Sequence, residues 1–114
     1  IQNGVDVNAV DEYNRTALHI AAEKGHVDVV KVLCQNEDVV DAVDENEKTA
    51  LHIAAEKGHV DVAKVLLQYD VDLSATTIEN HTAANLAARH GYDDIVKLIT
   101  KTERKKKRRQ RRKK

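Results

Sequence analysis

Thr16-Ala17-Leu18-His19-Ile20-Ala21-Ala22-Glu23-Lys24-Gly25-His26-Val27-Asp28-Val29 reappears, residue for residue, as Thr49 to Val62. Fourteen consecutive identities do not arise by chance in a chain of 114 residues, so the molecule is built by internal repetition. An altered third copy begins Thr82-Ala83-Ala84-Asn85, and Gly25, Gly58 and Gly91 keep the same register, which sets the period at 33 residues. Further upstream, Gln2 to Asp11 aligns with Gln35 to Asp44, so the first residues read as the closing part of an earlier unit and the chain as a piece of a longer array.

Within a unit, the Thr16 hydroxyl can accept from backbone N–H groups two or three residues on and so cap a helix that buries Leu18, Ala21 and Ala22 on one face. Gly25 can end that helix in a left-handed conformation. A second helix then begins near Val27, with Asp28 favourable in its first turn and Val29, Val30, Leu33 and Cys34 as its inner face. The pattern predicts helices near residues 17–24, 27–36, 50–57, 60–69, 83–90 and 93–102, with negligible strand. Helices this short are marginal alone and take their stability from stacking, which Ala21, Ala22, Ala54, Ala55, Ala87 and Ala88 permit by letting backbones approach closely. The Asp-, Asn- and Glu-rich stretches Gln35 to Lys48 and Gln68 to His81 read as turns projecting from the stack.

Composition fits this plan. The chain has three Tyr and no Phe, Trp or Met, so packing relies on Ala, Val, Leu and Ile in a regular helical stack rather than on an aromatic centre. No apolar run approaches the roughly 18 to 20 residues of a membrane span, and no signal-peptide pattern opens the sequence. Cys34, the single cysteine, sits where a leucine would serve, and with no internal disulfide to form it is consistent with an intracellular, cytoplasmic or nuclear setting. The formal net charge of zero conceals an asymmetry: residues 1–103 hold 9 Lys or Arg against 19 Asp or Glu, a balance of −10, and residues 104–114 hold ten Lys or Arg and no acid.

The run T-A-L-H-I-A-A-E-K-G-H-V-D-V-V-K-V-L, at a 33-residue period with glycine in register, resembles the ankyrin repeat over residues 1 to about 102. The resemblance implies an all-α solenoid of about three helix-turn-helix repeats with projecting β-turn or hairpin loops. The units are a partial repeat 1–11 and repeats 12–44, 45–77 and 78–102, followed by a basic tail, 103–114. The tetratricopeptide unit is excluded, because its Trp, Tyr and Pro pattern is missing. Several positions depart from the family pattern. Ala17, Ala50 and Ala83 replace the motif proline, and Asn14, Glu47 and Asn80 replace the glycine of the hairpin tip. Glu37 and Asp70 replace the glycine after the second helix, which survives as Gly4. Where positive φ is required, Glu or Asp in place of Gly costs about 1 kcal/mol, so modest stability is expected. The third copy, ending Thr100-Lys101-Thr102, reads as a C-terminal cap with a polar outer side.

The resemblance further implies a concave partner-binding surface of hairpin tips and first helices. Mapped residue by residue, it comprises Glu12, Tyr13, Arg15, Glu23 and Lys24 from one unit; Glu45, Asn46, Lys48, Glu56, Lys57 and Tyr69 from the next; and Glu79, Asn80, His81, Arg89 and His90 from the third. Tyr13 and Tyr69 are the expected anchors on one side of the stack, because rigid amphipathic aromatics are enriched among interface hot spots. His19 with His52, and His26 with His59, recur one period apart, which argues for a structural role; in the family the T-x-L-H histidine hydrogen-bonds loop backbone. No zinc-ligand spacing, nucleophile elbow or phosphate-binding glycine loop is present, so neither metal, cofactor nor catalysis is expected. The expected function is that of a monomeric protein-interaction scaffold rather than an enzyme.

The tail Arg104-Lys105-Lys106-Lys107-Arg108-Arg109-Gln110-Arg111-Arg112-Lys113-Lys114 has no apolar residue with which to pack and is expected to be disordered when free. It resembles an arginine-rich nuclear-localisation and RNA-binding motif of the kind lentiviral transactivators carry. An import signal is the first reading. The alternative is an RNA-binding protein whose repeats present the tail; an anionic-membrane contact or a functionless appendage also fits the composition. Tethered charges of −10 and +10 are further expected to meet, with the tail lying loosely on acids such as Glu12, Glu45, Glu47, Asp70 and Asp72.

Overall fold

Each T-A-L-H tetrad starts a helix by the same reciprocal lock. The Thr16 hydroxyl accepts from the His19 N–H, and the Thr16 N–H donates back to His19 Nδ1 at 3.0 Å. Thr49 with His52, and Thr82 with Asn85, repeat the arrangement. Because Nδ1 accepts a backbone proton, the histidine must carry its own proton on Nε2. That proton goes forward to the next unit: His19 Nε2 donates to the Lys48 carbonyl at 2.8 Å and His52 Nε2 to the Ala75 carbonyl at 3.0 Å. Both rings are buried, so each is at once a cap and an inter-repeat bond.

The computed structural model describes residues 9–36 and 39–112, with side chains described as far as Lys107. Its helices are α1 (Ala17–Lys24), α2 (Val27–Leu33), α3 (Ala50–Lys57), α4 (Val60–Leu66), α5 (Ala83–Arg89) and α6 (Asp93–Arg112), and no strand occurs among the described residues. Helices α1, α3 and α5 pack side by side in one row; α2, α4 and α6 form a second row behind it. This is the all-α repeat solenoid that the period predicts. Gly25 and Gly58 end α1 and α3 with φ of 74° and 76°. A Cβ on Gly58 would lie 2.7 Å from the Tyr92 ring, and one on Gly25 would lie 3.0 Å from the His59 ring. Glycine is thus required there twice over, by backbone conformation and by close approach.

The core runs between the rows. Leu18, Ala22, Val30, Cys34, Leu51, Ala54, Ala55, Val62, Ala63, Leu66, Ala87, Ile95 and Ile99 are each 2% exposed or less. Burial pushes the Cys34 thiol up to about 11. Val29 is corrected by the structure: expected on the inner face, it is 47% exposed, whereas Val62, its counterpart one period later, is 1% exposed. Ala88, at the opposite end of the stack, is likewise exposed.

Helix ends differ from expectation in two ways. Helices α2 and α4 stop at Leu33 and Leu66, three residues early, and the chain passes into turns. Helix α6 instead continues ten residues past the expected end, through Arg112, so the basic run expected to be disordered is helical as far as it is described. Lys, Arg and Gln are strong helix formers, no Gly or Pro interrupts them, and Asp93 and Asp94 at one end with cations at the other complement the helix dipole. Thr100 and Thr102, read as a terminus, lie mid-helix and donate their hydroxyls to the Val96 and Leu98 carbonyls at 2.9 Å. Lys113 and Lys114 lie outside the described residues, as do Gly4 and Glu37.

Candidate functional site

Ahead of each first helix the chain makes a tight turn around one side-chain acceptor. Asp44 Oδ1 accepts from the Asn46 and Lys48 N–H groups at 2.9 Å each; Asp11 does the same for Tyr13 and Arg15, and the Thr77 hydroxyl for Glu79 and His81. Donation from backbone N–H groups, that of Arg15 foremost, holds the Asp11 carboxyl below its ordinary range. The residues where glycine was missed, Asn14, Glu47 and Asn80, do take positive φ, at 64°, 61° and 68°. Asp70 does not, so it carries no such strain. Successive tips are tied in register, the Glu45 N–H donating to the Tyr13 carbonyl at 3.2 Å and the Ile78 N–H to the Asn46 carbonyl at 2.9 Å.

Between the first two tips and the ends of α1 and α3 lies an open cleft of about 360 Å³. Tyr13, Arg15, Glu23, Glu45, Asn46, Lys48, Glu56 and Lys57 line it, all of them expected from sequence, together with Asp44 and Ile53, which were not. Its charges are pre-positioned. Arg15 pairs with Asp11 at 3.0 Å and Glu23 at 3.3 Å, its guanidinium 5.2 Å from the Tyr13 ring centre; Lys48 pairs with Glu56 at 2.9 Å. The third unit uses the same two positions with the cation moved from the turn to the helix, Arg89 donating to His81 Nε2 on the turn at 3.1 Å. One row of tip-to-helix pairs therefore crosses three units, and its members stay at least partly exposed.

A family model of ankyrin repeats, in three copies, matches residues 1–77 and 40–110. The chain is an ankyrin-repeat protein. No curated protein matches it closely enough to count as a relative. Ankyrin repeats are in general protein-interaction modules, and the fold is a non-enzymatic one. Among the described residues no helix is long and apolar enough to cross a membrane, and no group of three or more His, Cys, Asp or Glu side chains could hold a metal.

Other mapped residues lie outside the cleft. Glu12 and Lys24 are exposed but do not line it, and Glu79 and Asn80 sit on the third tip. His90 stacks on Tyr92, ring centres 6.1 Å apart, beyond the end of α5. Tyr69 is not brought to Tyr13: it lies in the turn after α4, half-buried against the core. Asp44 and Ile53 in the cleft and Ile78 on the third tip escaped sequence reading. Asp44 could have been found, since it holds the acceptor position that Asp11 and Thr77 also hold. Ile78, 63% exposed on the third tip where Glu12 and Glu45 precede it in register, carried only the signal of an apolar residue in an otherwise polar turn.

The basic extension meets the acidic body at one described point. Lys106 Nζ donates to the Val71 carbonyl and pairs with Asp70 at 3.3 Å. Asp72, beside it, is held below the ordinary carboxylate range first by the Ser74 hydroxyl and N–H, and to a lesser degree by Lys106. Glu12, Glu45 and Glu47 make no ion pair with the described part of the extension.

Proposed function

We propose that this ankyrin module binds a protein partner across the row of tips and first helices, with Tyr13, the Arg15–Glu23 and Lys48–Glu56 pairs, Ile78 and the His81–Arg89 pair as its contact surface. The carrying observation is the registration itself. Backbone bonds from tip to tip hold exposed side chains of three units in one fixed array, so little conformational entropy remains to be lost on docking. Charged residues already paired along the row set the partner's register more than its affinity; Tyr13 and Ile78 supply the apolar anchors.

The basic extension is read as a nuclear-import signal, on the strength of ten Lys or Arg in eleven residues. RNA binding is the other reading, and with no aromatic interleaved among these residues it would be electrostatic and steeply salt-dependent.

Binders recovered with the full chain separate these readings. Tyr13→Ala with Ile78→Ala should weaken a protein partner by about tenfold or more. Replacing Arg108, Arg109, Arg111 and Arg112 by Gln should leave that partner bound and abolish nuclear accumulation. A partner indifferent to the tip substitutions but lost with the arginines would overturn the surface assignment, and recovery of RNA in its place would favour the alternative.

A further inference from the structure

Residues three, four and seven apart share one side of a helix, so Lys97, Lys101, Arg104 and Lys105 form a single stripe along α6. All four are exposed, and the exposed Lys64 of α4 joins them across an open groove of about 270 Å³ that Val60, Asp94 and Leu98 also line. None of these five cations is in an ion pair among the described residues, whereas Arg15, Lys48 and Lys106 each are. The opposite side of α6 is committed to the body. Ile95 and Ile99 are fully buried there, Lys106 pairs with Asp70, and Glu103 and Lys106 line a cleft with Asp41, Asp70 and Asp72. The helix thus meets the acids of the body on its inner side and carries the stripe on its outer one. By helical register, positions 108, 111 and 112 continue the stripe, which at about 1.5 Å per residue makes it about 22 Å long.

We infer that this stripe is a docking surface for the phosphate backbone of duplex DNA, with the outward side of α6 lying in the major groove and Lys64 reaching a neighbouring phosphate. The inference rests on the nucleic-acid reading of the basic extension, to which it adds a folded part on the repeats and a commitment to DNA. Charge complementarity carries it: unpaired cations run straight along about 22 Å of helix, where a duplex places one phosphate about every 3.4 Å of axis on each strand. An α-helix with its side chains is about 10 to 12 Å across and the major groove of B-form DNA about 12 Å wide, whereas the A-form groove of an RNA duplex is deep and narrow. Beyond Leu98 this side of the helix carries no apolar or aromatic residue, so neither an unstacked base nor the apolar anchors of an acidic peptide find a seat. A flat anionic bilayer would meet the exposed Asp94 together with Lys64 and Lys97; a duplex can run from Lys97 toward Arg112 and leave Asp94 aside. Contacts to phosphate carry no sequence information, so binding is expected to be indifferent to base order.

The test uses the full chain and a short DNA duplex of mixed sequence, with binding read by fluorescence anisotropy over a series of salt concentrations. Lys97→Gln with Lys101→Gln should weaken binding about tenfold or more and reduce the slope of log affinity against log salt by about 0.9 for each lysine lost. Lys24→Gln with Lys31→Gln changes the net charge equally but lies off the stripe, and should leave affinity within about twofold. All four lysines are exposed, so both variants should keep the Tm of the parent chain. Equal losses from the two pairs overturn the inference, because net charge rather than the stripe would then govern binding. Binding that ignores Lys97 and Lys101 but vanishes when Arg108, Arg109, Arg111 and Arg112 become Gln also overturns it, and leaves the nucleic-acid reading of the extension standing. So does tighter binding to an RNA duplex or single strand of the same length, or retention on phosphatidylserine vesicles against excess DNA. No binding to any nucleic acid defeats the stripe and that reading together.

Discussion

The first and last repeats meet the same physical problem, an end of a stack, with opposite chemistry. The last repeat replaces the motif leucine and histidine with Ala84 and Asn85, presents the small Ala88 and the polar Asn85, Arg89 and His90 to water, and extends α6 as a charged rod. The first repeat keeps the interior pattern, so Val29 and Val32 are exposed although their helix differs from that of Val62 and Val65 only in Val30 for Ala63. Burial in a repeat protein is therefore a property of the neighbour as much as of the residue. Identical fourteen-residue segments acquire different energetics by position alone.

Position should show most strongly at the glycines. Gly58→Ala forces a left-handed alanine and drives its methyl group into the Tyr92 ring, a combined cost of about 3 kcal/mol. Gly91→Ala faces open space at φ 77° and should cost only the backbone penalty of about 1 kcal/mol. Equal losses in urea-unfolding free energy for the two variants would show that the contact with the following repeat is immaterial.

Next in size is the valine pair. Val62→Ala empties a buried site and should cost about 2 kcal/mol, whereas Val29→Ala should stay within about 0.5 kcal/mol. Chemical denaturation of both variants reads the ratio directly, and a loss at Val29 matching that at Val62 would break the contrast between the ends.

The smallest expected effect is the dependence of stability on pH through His52. Desolvation lowers its pKa from 6.5, only partly opposed by its hydrogen bond to the Ala75 carbonyl; nearby Lys48 acts in the same direction as burial, and Asp44 against it. A folded-state pKa below the unfolded one means that the unfolded chain binds the proton more readily. The stability associated with neutral His52 is thus complete above 6.5 and is lost as the pH falls from there toward the lower folded value. His52→Asn, the residue the third repeat uses, should cost about 1 kcal/mol at pH 8 and flatten the decline in Tm below pH 6.5. An undiminished slope in the variant would assign that decline to other groups.

What the sequence made legible is what local chemistry decides. Thr16, Thr49 and Thr82 cap, Gly25 and Gly58 terminate, and the period places every first helix to within a residue, because these interactions span four or five residues and recur. The turn glycine positions were equally readable: Asn14, Glu47 and Asn80 took the left-handed conformation the register demanded. Exposure of Val29 was not legible, since it depends on what lies beyond α1 and α2. Tyr69 misled because a tyrosine at a helix end can turn either to the core or to solvent, and nothing nearby in the chain decides between them. In the basic extension the expectation of disorder rested on the absence of apolar residues with which to pack, and the helix propensity of Lys, Arg and Gln continuing an already formed α6 outweighs that lack.

Buried Cys34 turns the junction between the first two repeats into a clock. With its thiol held near 11, only about one molecule in a thousand carries a thiolate at pH 8, and that atom is out of reach of reagents while the stack is closed. A disulfide reagent therefore reacts only while the packing around the thiol is locally open, and its rate in excess reagent counts those openings in the unaltered protein, without a label or a substitution.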